Sequence, residues 1–229
     1  MEVLVISACS GSKAHDEETL KYEDFESRNF QEREEELSEY KLSAKEMYTG
    51  QEHKYVKEAV RNLKEKASVD WKIVSAGYGL ISPDKEIVPY EVTFNDSDID
   101  TKKWADKIEI PEDFRNVVRK YDLVIVALGT KYLKSLSLKQ NGISENPELV
   151  FLTGKTGERE LPDKENISIV TVGRDEQNKY GKMMIRLKGW LLREYSVNVE
   201  KGEEFVDFAD NFYEAIPDPA KQKTLDDST

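Results

Sequence analysis

Short continuous apolar runs, set between polar turns and amphipathic stretches, organise this chain and predict strands joined by helices. Val3 to Ala8 is apolar and rich in β-branched residues, the mark of a strand buried on both faces. Trp71 to Ser75, Leu123 to Leu128, Glu148 to Leu152 and Ile167 to Val172 read as further strands. Between them, Leu42 to Ala67 places Tyr55, Val56, Ala59, Val60 and Leu63 at helical spacing, with Gly50 breaking the pattern near its start. A short helix is expected around Trp104, and another opens at Pro111, a favoured first helical residue. A third carries Tyr132, Leu133 and Leu136, and Lys179 to Tyr195 presents Met183, Met184, Leu187, Trp190 and Leu191 on one side. This alternation predicts an α/β fold of three layers, a mainly parallel central sheet flanked by helices.

Two segments depart from the alternation. His15 to Glu39 is highly charged, with Leu20, Tyr22, Phe25, Phe30 and Leu37 as its few apolar anchors. It reads as a charged helical insertion after the first strand, either exposed or laid over a site. Lys201 to Thr229 reads as a short helix with Phe205, Phe208 and Phe212, then a tail beyond Pro217 expected to be disordered or weakly docked. The expected organisation is one α/β domain over residues 1–200, then a C-terminal helix and flexible acidic tail over 201–229.

The 229 residues suffice for a real core, and although 35% are charged, the apolar residues are grouped as a packed chain requires. The net charge of −12 disfavours a protein that holds duplex DNA by its phosphates, which calls for a basic stripe. A small anion held by backbone N–H groups remains compatible. Cys9 is the single cysteine and His15 and His53 the two histidines, so neither a disulfide nor a metal site is expected, and no cofactor is implied. Both histidines read as surface residues. No apolar run is long enough to span a membrane, the first residues read as a strand and not a signal peptide, and a cytoplasmic protein is expected.

Candidate chemistry gathers in two loops. In open parallel sheets, ligands bind beyond the carboxyl ends of the strands. The first loop offers Ser7, Cys9, Ser10, Gly11, Ser12 and Lys13 in one tight turn, where backbone donors converging on an anion compete with an ordinary Ser/Gly turn. It is not a nucleotide-binding P-loop, and neither is Thr153-Gly154-Lys155-Thr156-Gly157, where Leu149 occupies the place of the leading glycine. The second loop runs Ser75, Ala76, Gly77, Tyr78, Gly79 and on through Pro89, Tyr90, Glu91, Thr93 and Asn95. Tyr78 and Tyr90 are candidates to stack on a planar ring, with Glu91, Thr93 and Asn95 reading its edge, and Gly129-Thr130 would add a third wall. Cys9 is either a nucleophile or redox sensor activated by Lys13, or an inert buried thiol. Glu91 is the candidate general base. On this reading Tyr90→Ala abolishes ligand binding without unfolding the chain.

Ser75-Ala-Gly-Tyr-Gly-Leu-Ile-Ser-Pro followed by Val88-Pro-Tyr resembles the pattern of the YaaA-like peroxide-stress family, supported by Ile6-Ser7 leading to Lys13 and by Met47-Tyr48-Thr49-Gly50. The resemblance implies a nucleobase- or nucleic-acid-related role, including protection of DNA from oxidative damage, and adds Tyr48 to the site. The expected partner is then a nucleobase or nucleotide, or a single-stranded or flipped nucleic acid. Three classes stand open: an enzyme of nucleic-acid modification, a non-catalytic nucleic-acid binder, and a stress-response protein that docks a partner through its acidic 16–39 segment or its C-terminal helix.

Overall fold

The computed structural model describes residues 1–200, 202, 205 and 207–219; the expected tail from residue 220 onward lies outside the described residues. The first half of the chain forms β1 (Glu2–Ala8), α1 (Tyr22–Glu26), α2 (Phe30–Glu36), β2 (Leu42–Ser43), α3 (Ala44–Met47) and α4 (Gln51–Lys64). There follow β3 (Ser68–Ser75), β4 (Gly79–Ile81), β5 (Glu86–Ile87), α5 (Thr101–Lys107) and α6 (Ile110–Val118). The second half supplies β6 (Leu123–Ala127), α7 (Thr130–Ser135), α8 (Leu138–Asn141), β7 (Glu148–Thr153), α9 (Lys155–Glu158) and β8 (Ile167–Thr171). It closes with α10 (Arg174–Tyr180), α11 (Met184–Asn198) and α12 (Phe208–Asn211).

One sheet carries the order β4-β3-β1-β6-β7-β8, all neighbours parallel except the antiparallel pair β3–β4. Its register sets Val5 of β1 between Trp71 of β3 and Ile125 of β6. The central strands are buried from end to end because helices cover both faces, which is why Val3–Ile6 and Leu123–Ala127 read as unbroken apolar runs. Helices on both faces of a mostly parallel sheet make the three layers that the alternation predicts.

Handedness decides which helix goes to which face. The connection from β1 to β3 moves one way across the sheet, and the connection from β3 to β6 moves back over β1. Right-handed crossovers therefore place α4 on one face and α5 and α6 on the other. The steps from β6 to β7 and β8 continue in the second direction, so α7 and α9 join α5, while α11 returns beside α4 as its main packing partner. The direction of winding reverses between β1 and β6, the point beyond whose carboxyl ends open sheets of this kind generally bind ligands.

The charged insertion lies on the chain. Leu20 pairs with the second loop, its N–H donating to the Pro89 carbonyl and its carbonyl accepting from Glu91 N–H, and both Leu20 and Leu37 are fully buried. Phe25 sets its ring against Phe30, Tyr78, Tyr90 and Trp104. Its charges face water and its few apolar anchors cover the loop after β3. At the other end, Phe208 and Phe212 are buried against Tyr195, the latter ring stacked at 5.2 Å. No helix among the described residues is long and apolar enough to cross a membrane.

Candidate functional site

At the carboxyl ends of β1 and β6 stand Cys9 and Tyr132, one just past β1 and the other on α7, which the fold brings together. The Cys9 thiol, partly exposed, lies 3.1 Å from the Tyr132 hydroxyl. Tyr132 sits on the first turn of α7, and its ring packs edge-on against Phe94 at 5.2 Å. Cys9 extends β1, its N–H donating to the Val74 carbonyl, so the strand fixes the position of the sulfur.

Beyond Cys9 the first loop is held by its own donors. Ser10 Oγ accepts from the N–H groups of Ser12 and Gly50. Ala14 N–H donates to the Met47 carbonyl and Thr49 N–H to the Ser12 carbonyl. A Cβ on Gly50 would stand 2.1 Å from Ser10 Oγ, so any side chain there would displace the hydroxyl that joins these two loops. The open cradle of converging N–H groups expected over Ser7 to Lys13 is thus partly consumed by the loop itself, and the Ser7 hydroxyl accepts the Trp71 indole N–H inside the core.

Lys13 turns inward from this loop. Its ammonium lies 4.2 Å from the centre of the Tyr90 ring and 3.4 Å from the Ser10 carbonyl. Among the described residues no carboxylate stands within ion-pair distance of it. Burial lowers the pKa of this amine, and the charges of Cys9 and, next, Glu91 oppose that shift.

Behind Lys13 lies a chain of buried hydroxyls. Ser75 Oγ accepts from the N–H groups of Gly77 and Tyr78 and stands 2.8 Å from the Tyr90 hydroxyl, which stands 2.8 Å from that of Tyr48. With two acceptor positions of Ser75 filled, its own hydrogen goes to Tyr90, and that of Tyr90 goes on to Tyr48. Burial pushes the phenols of Tyr48, Tyr90 and Tyr132 upward, and the neighbouring Cys9 charge pushes the same way, so all three remain neutral donors.

The second loop therefore differs from a stacking platform. Tyr90 is fully buried, one face taken by Lys13 and its edges by Tyr48, Tyr78 and Phe25, which leaves no face for a planar ring. Tyr90→Ala removes a core side chain and cannot leave the fold untouched, contrary to the sequence expectation. Tyr78 is half-buried under Phe25, and burial raises its phenol. Gly77 lets that lid close, since a Cβ there would lie 2.7 Å from the Phe25 ring, and Gly79 adopts a positive φ of 79° against the Ile108 carbonyl. Pro89 lends its carbonyl to Leu20. Glu91 is exposed and pairs with Lys21, and it meets Lys13 only through the longer-range pull of its charge. Thr93 reaches the Tyr132 hydroxyl, whereas Asn95 is exposed. Gly129 caps α7, and Thr130 is its first residue.

His53, expected at the surface, is 3% exposed. It packs against Trp71 with the rings tilted and donates from Nε2 to the Lys45 carbonyl, and burial lowers its pKa to about 4. Sequence reasoning placed Tyr132 on a helix and Phe25 among the anchors of an insertion that could lie over a site, and gave neither a part in the chemistry. The signal for the former was its place one turn beyond the strand end after Leu128.

The chain is thus a doubly wound α/β protein with a thiol, a buried amine and neutral phenols at the point where its winding reverses. A model for a family of unknown function (DUF6884) matches residues 34–159, more than half of the 229, and the chain belongs to that family. No curated protein and no solved structure matches it. The match corrects the resemblance to the YaaA-like peroxide-stress family. With it go the nucleotide site, the roles in nucleic-acid modification and damage protection, and the alternatives of a nucleic-acid binder or stress-response partner. The short Tyr-Gly-Leu and Pro-Tyr strings that suggested them serve here as lid seat and buried hydroxyl chain. The matched span takes in Tyr48, Ser75, Tyr90 and Tyr132, and begins after Cys9 and Lys13.

Proposed function

We propose that this protein is a thiol-dependent enzyme that acts on a small anionic molecule at the carboxyl ends of β1 and β6. One observation carries the reading: the half-buried Lys13 ammonium rests on the Tyr90 ring and the Ser10 carbonyl, with no carboxylate within ion-pair distance among the described residues. A partly desolvated cation held only by neutral groups favours an anion that arrives from outside. Cys9 supplies the nucleophile. Lys13 stays an ammonium throughout and holds the anionic part of the substrate. The Cys9 thiol gives its proton to solvent water, its sulfur bonds to an electrophilic carbon, and that carbon releases its leaving group. Tyr132, held neutral, donates the proton the leaving group needs and regains one from water. Ser75, Tyr90 and Tyr48 fix the Tyr90 ring on which Lys13 rests. A reactive free thiol suits a reducing compartment, and the cytoplasm is the setting this reading assigns.

Iodoacetate tests the proposal because it joins a carboxylate to an electrophilic carbon. Intact-mass analysis should show saturable, single-site modification at Cys9, faster than by neutral iodoacetamide. An unmodified Cys9, or a rate linear in iodoacetate and slower than with iodoacetamide, would sink the proposal.

A further inference from the structure

An opening lies along the same edge of the sheet, beyond the β6–α7 turn. It is a cleft of about 620 Å³ at the carboxyl ends of β6, β7 and β8, a volume within the range of small-molecule sites. Its floor is tight: a Cβ on Gly154 would lie 2.9 Å from the Val172 carbonyl, so the turns after β7 and β8 run against each other. Thr130, Thr153 and Thr156 line it, with Lys155, Arg174 and Lys188 as its cations and Asp175 and Glu176 as its carboxylates.

The commitments of these charges are unequal. Lys188 pairs with Glu52 at 3.2 Å, and the Glu176 carboxylate accepts the Gly173 N–H at 2.7 Å. Lys155 and Arg174 make no ion pair or side-chain hydrogen bond among the described residues. Asp175, on the same cleft, makes no ion pair among the described residues.

We infer that this cleft binds an anionic group of a small metabolite, a phosphoryl or carboxylate group, through Lys155 and Arg174 with the threonine hydroxyls as further donors. Gly129-Thr130 forms its near wall and opens α7, whose Tyr132 stands beside Cys9, so a bound molecule would extend from the cleft toward the thiol. That extension rests on the proposed function. Binding in the cleft does not.

The test is equilibrium binding to the full chain by calorimetry and thermal shift, with inorganic phosphate, pyrophosphate and malonate against sodium chloride at matched ionic strength. At least one anion should bind saturably and raise the melting temperature. Phosphate or pyrophosphate binding tighter than malonate assigns a phosphoryl group, and the reverse order assigns a carboxylate. Lys155→Gln and Arg174→Gln should each weaken binding about tenfold, the worth of one charge-assisted hydrogen bond. Both side chains are exposed, so each variant should melt like the wild type without ligand. Cys9→Ser should bind as the wild type does. Loss of binding in Cys9→Ser with retention in the other two would move the anion to Lys13 and overturn the cleft assignment, as would no saturable binding above chloride. Failure of Cys9 to react with iodoacetate, with anion binding intact, would count against the enzyme reading alone.

Discussion

The Lys13 ammonium rests 4.2 Å from the centre of the Tyr90 ring, and Tyr90 is held in turn by hydroxyls on either side of its own. A cation on an aromatic face is stabilised by the ring quadrupole, more so when water is excluded. The contact ties the loop after β1 to the loop after β3, so the position of the amine depends on a buried network that never meets the ligand.

Tyr90→Phe keeps the ring but breaks the hydroxyl chain. The account expects a loss of about 1–3 kcal/mol, the cost of leaving buried polar groups unsatisfied, with the fold retained. Urea denaturation measures it. A variant as stable as the wild type would show that the chain of hydroxyls contributes nothing.

His53 makes stability fall with acid. Its folded pKa, about 4, lies below the ordinary value of 6.5, so the unfolded chain binds the proton more readily. The stability due to the neutral ring is full above pH 6.5 and is lost as pH falls toward 4. From pH 7.5 to 5 the loss should be about 2 kcal/mol. His53→Gln should flatten that slope in urea midpoints, and an unchanged slope would assign it to other groups.

Phe25→Ala should lift the insertion from the second loop. Hydrogen exchange should accelerate at Leu20 to Glu26 and at Gly77 to Tyr90 while the sheet stays protected, with a stability loss of about 2–4 kcal/mol for an aromatic ring removed from a packed cluster. Exchange unchanged in both segments would mean that the lid does not depend on this ring.

Glu91→Gln should alter the rate of Cys9 modification less than about twofold, because a solvent-exposed pair with Lys21 is weakly coupled to its surroundings. A loss of tenfold or more would restore Glu91 to the reacting groups.

The layered α/β fold was legible in the sequence because its signals are local. Val3–Ala8 and Leu123–Leu128 show unbroken apolar runs, and Pro111 marks where a helix begins, whereas the helix expected over Leu42 to Ala67 starts only at Gln51, after Gly50, with β2 and the short α3 before it. The placing of candidate chemistry at strand ends follows from a general rule of such sheets. Contacts across the chain were not legible: nothing in the strings around Cys9 and Tyr132 tells that 123 residues of separation close to 3.1 Å. The reversal of winding decides that, and it depends on strand order. The polar look of His53 and Tyr90 likewise hid their burial, since a hydrogen-bonding side chain reads the same whether its partner is water or a neighbour. Loop residues such as Glu91 and Tyr78 misled in opposite directions, one turned outward and the other tucked beneath Phe25.

The central claim is that the Lys13 ammonium draws an anion to Cys9, and the ratio of Cys9 alkylation rates by iodoacetate and by iodoacetamide, in the wild type and in Lys13→Met, tests it most directly. The wild type should favour iodoacetate, and Lys13→Met, still folded by circular dichroism, should lose that preference and react with iodoacetate about tenfold more slowly, the worth of one charge-assisted contact. An unchanged ratio of rates would contradict it.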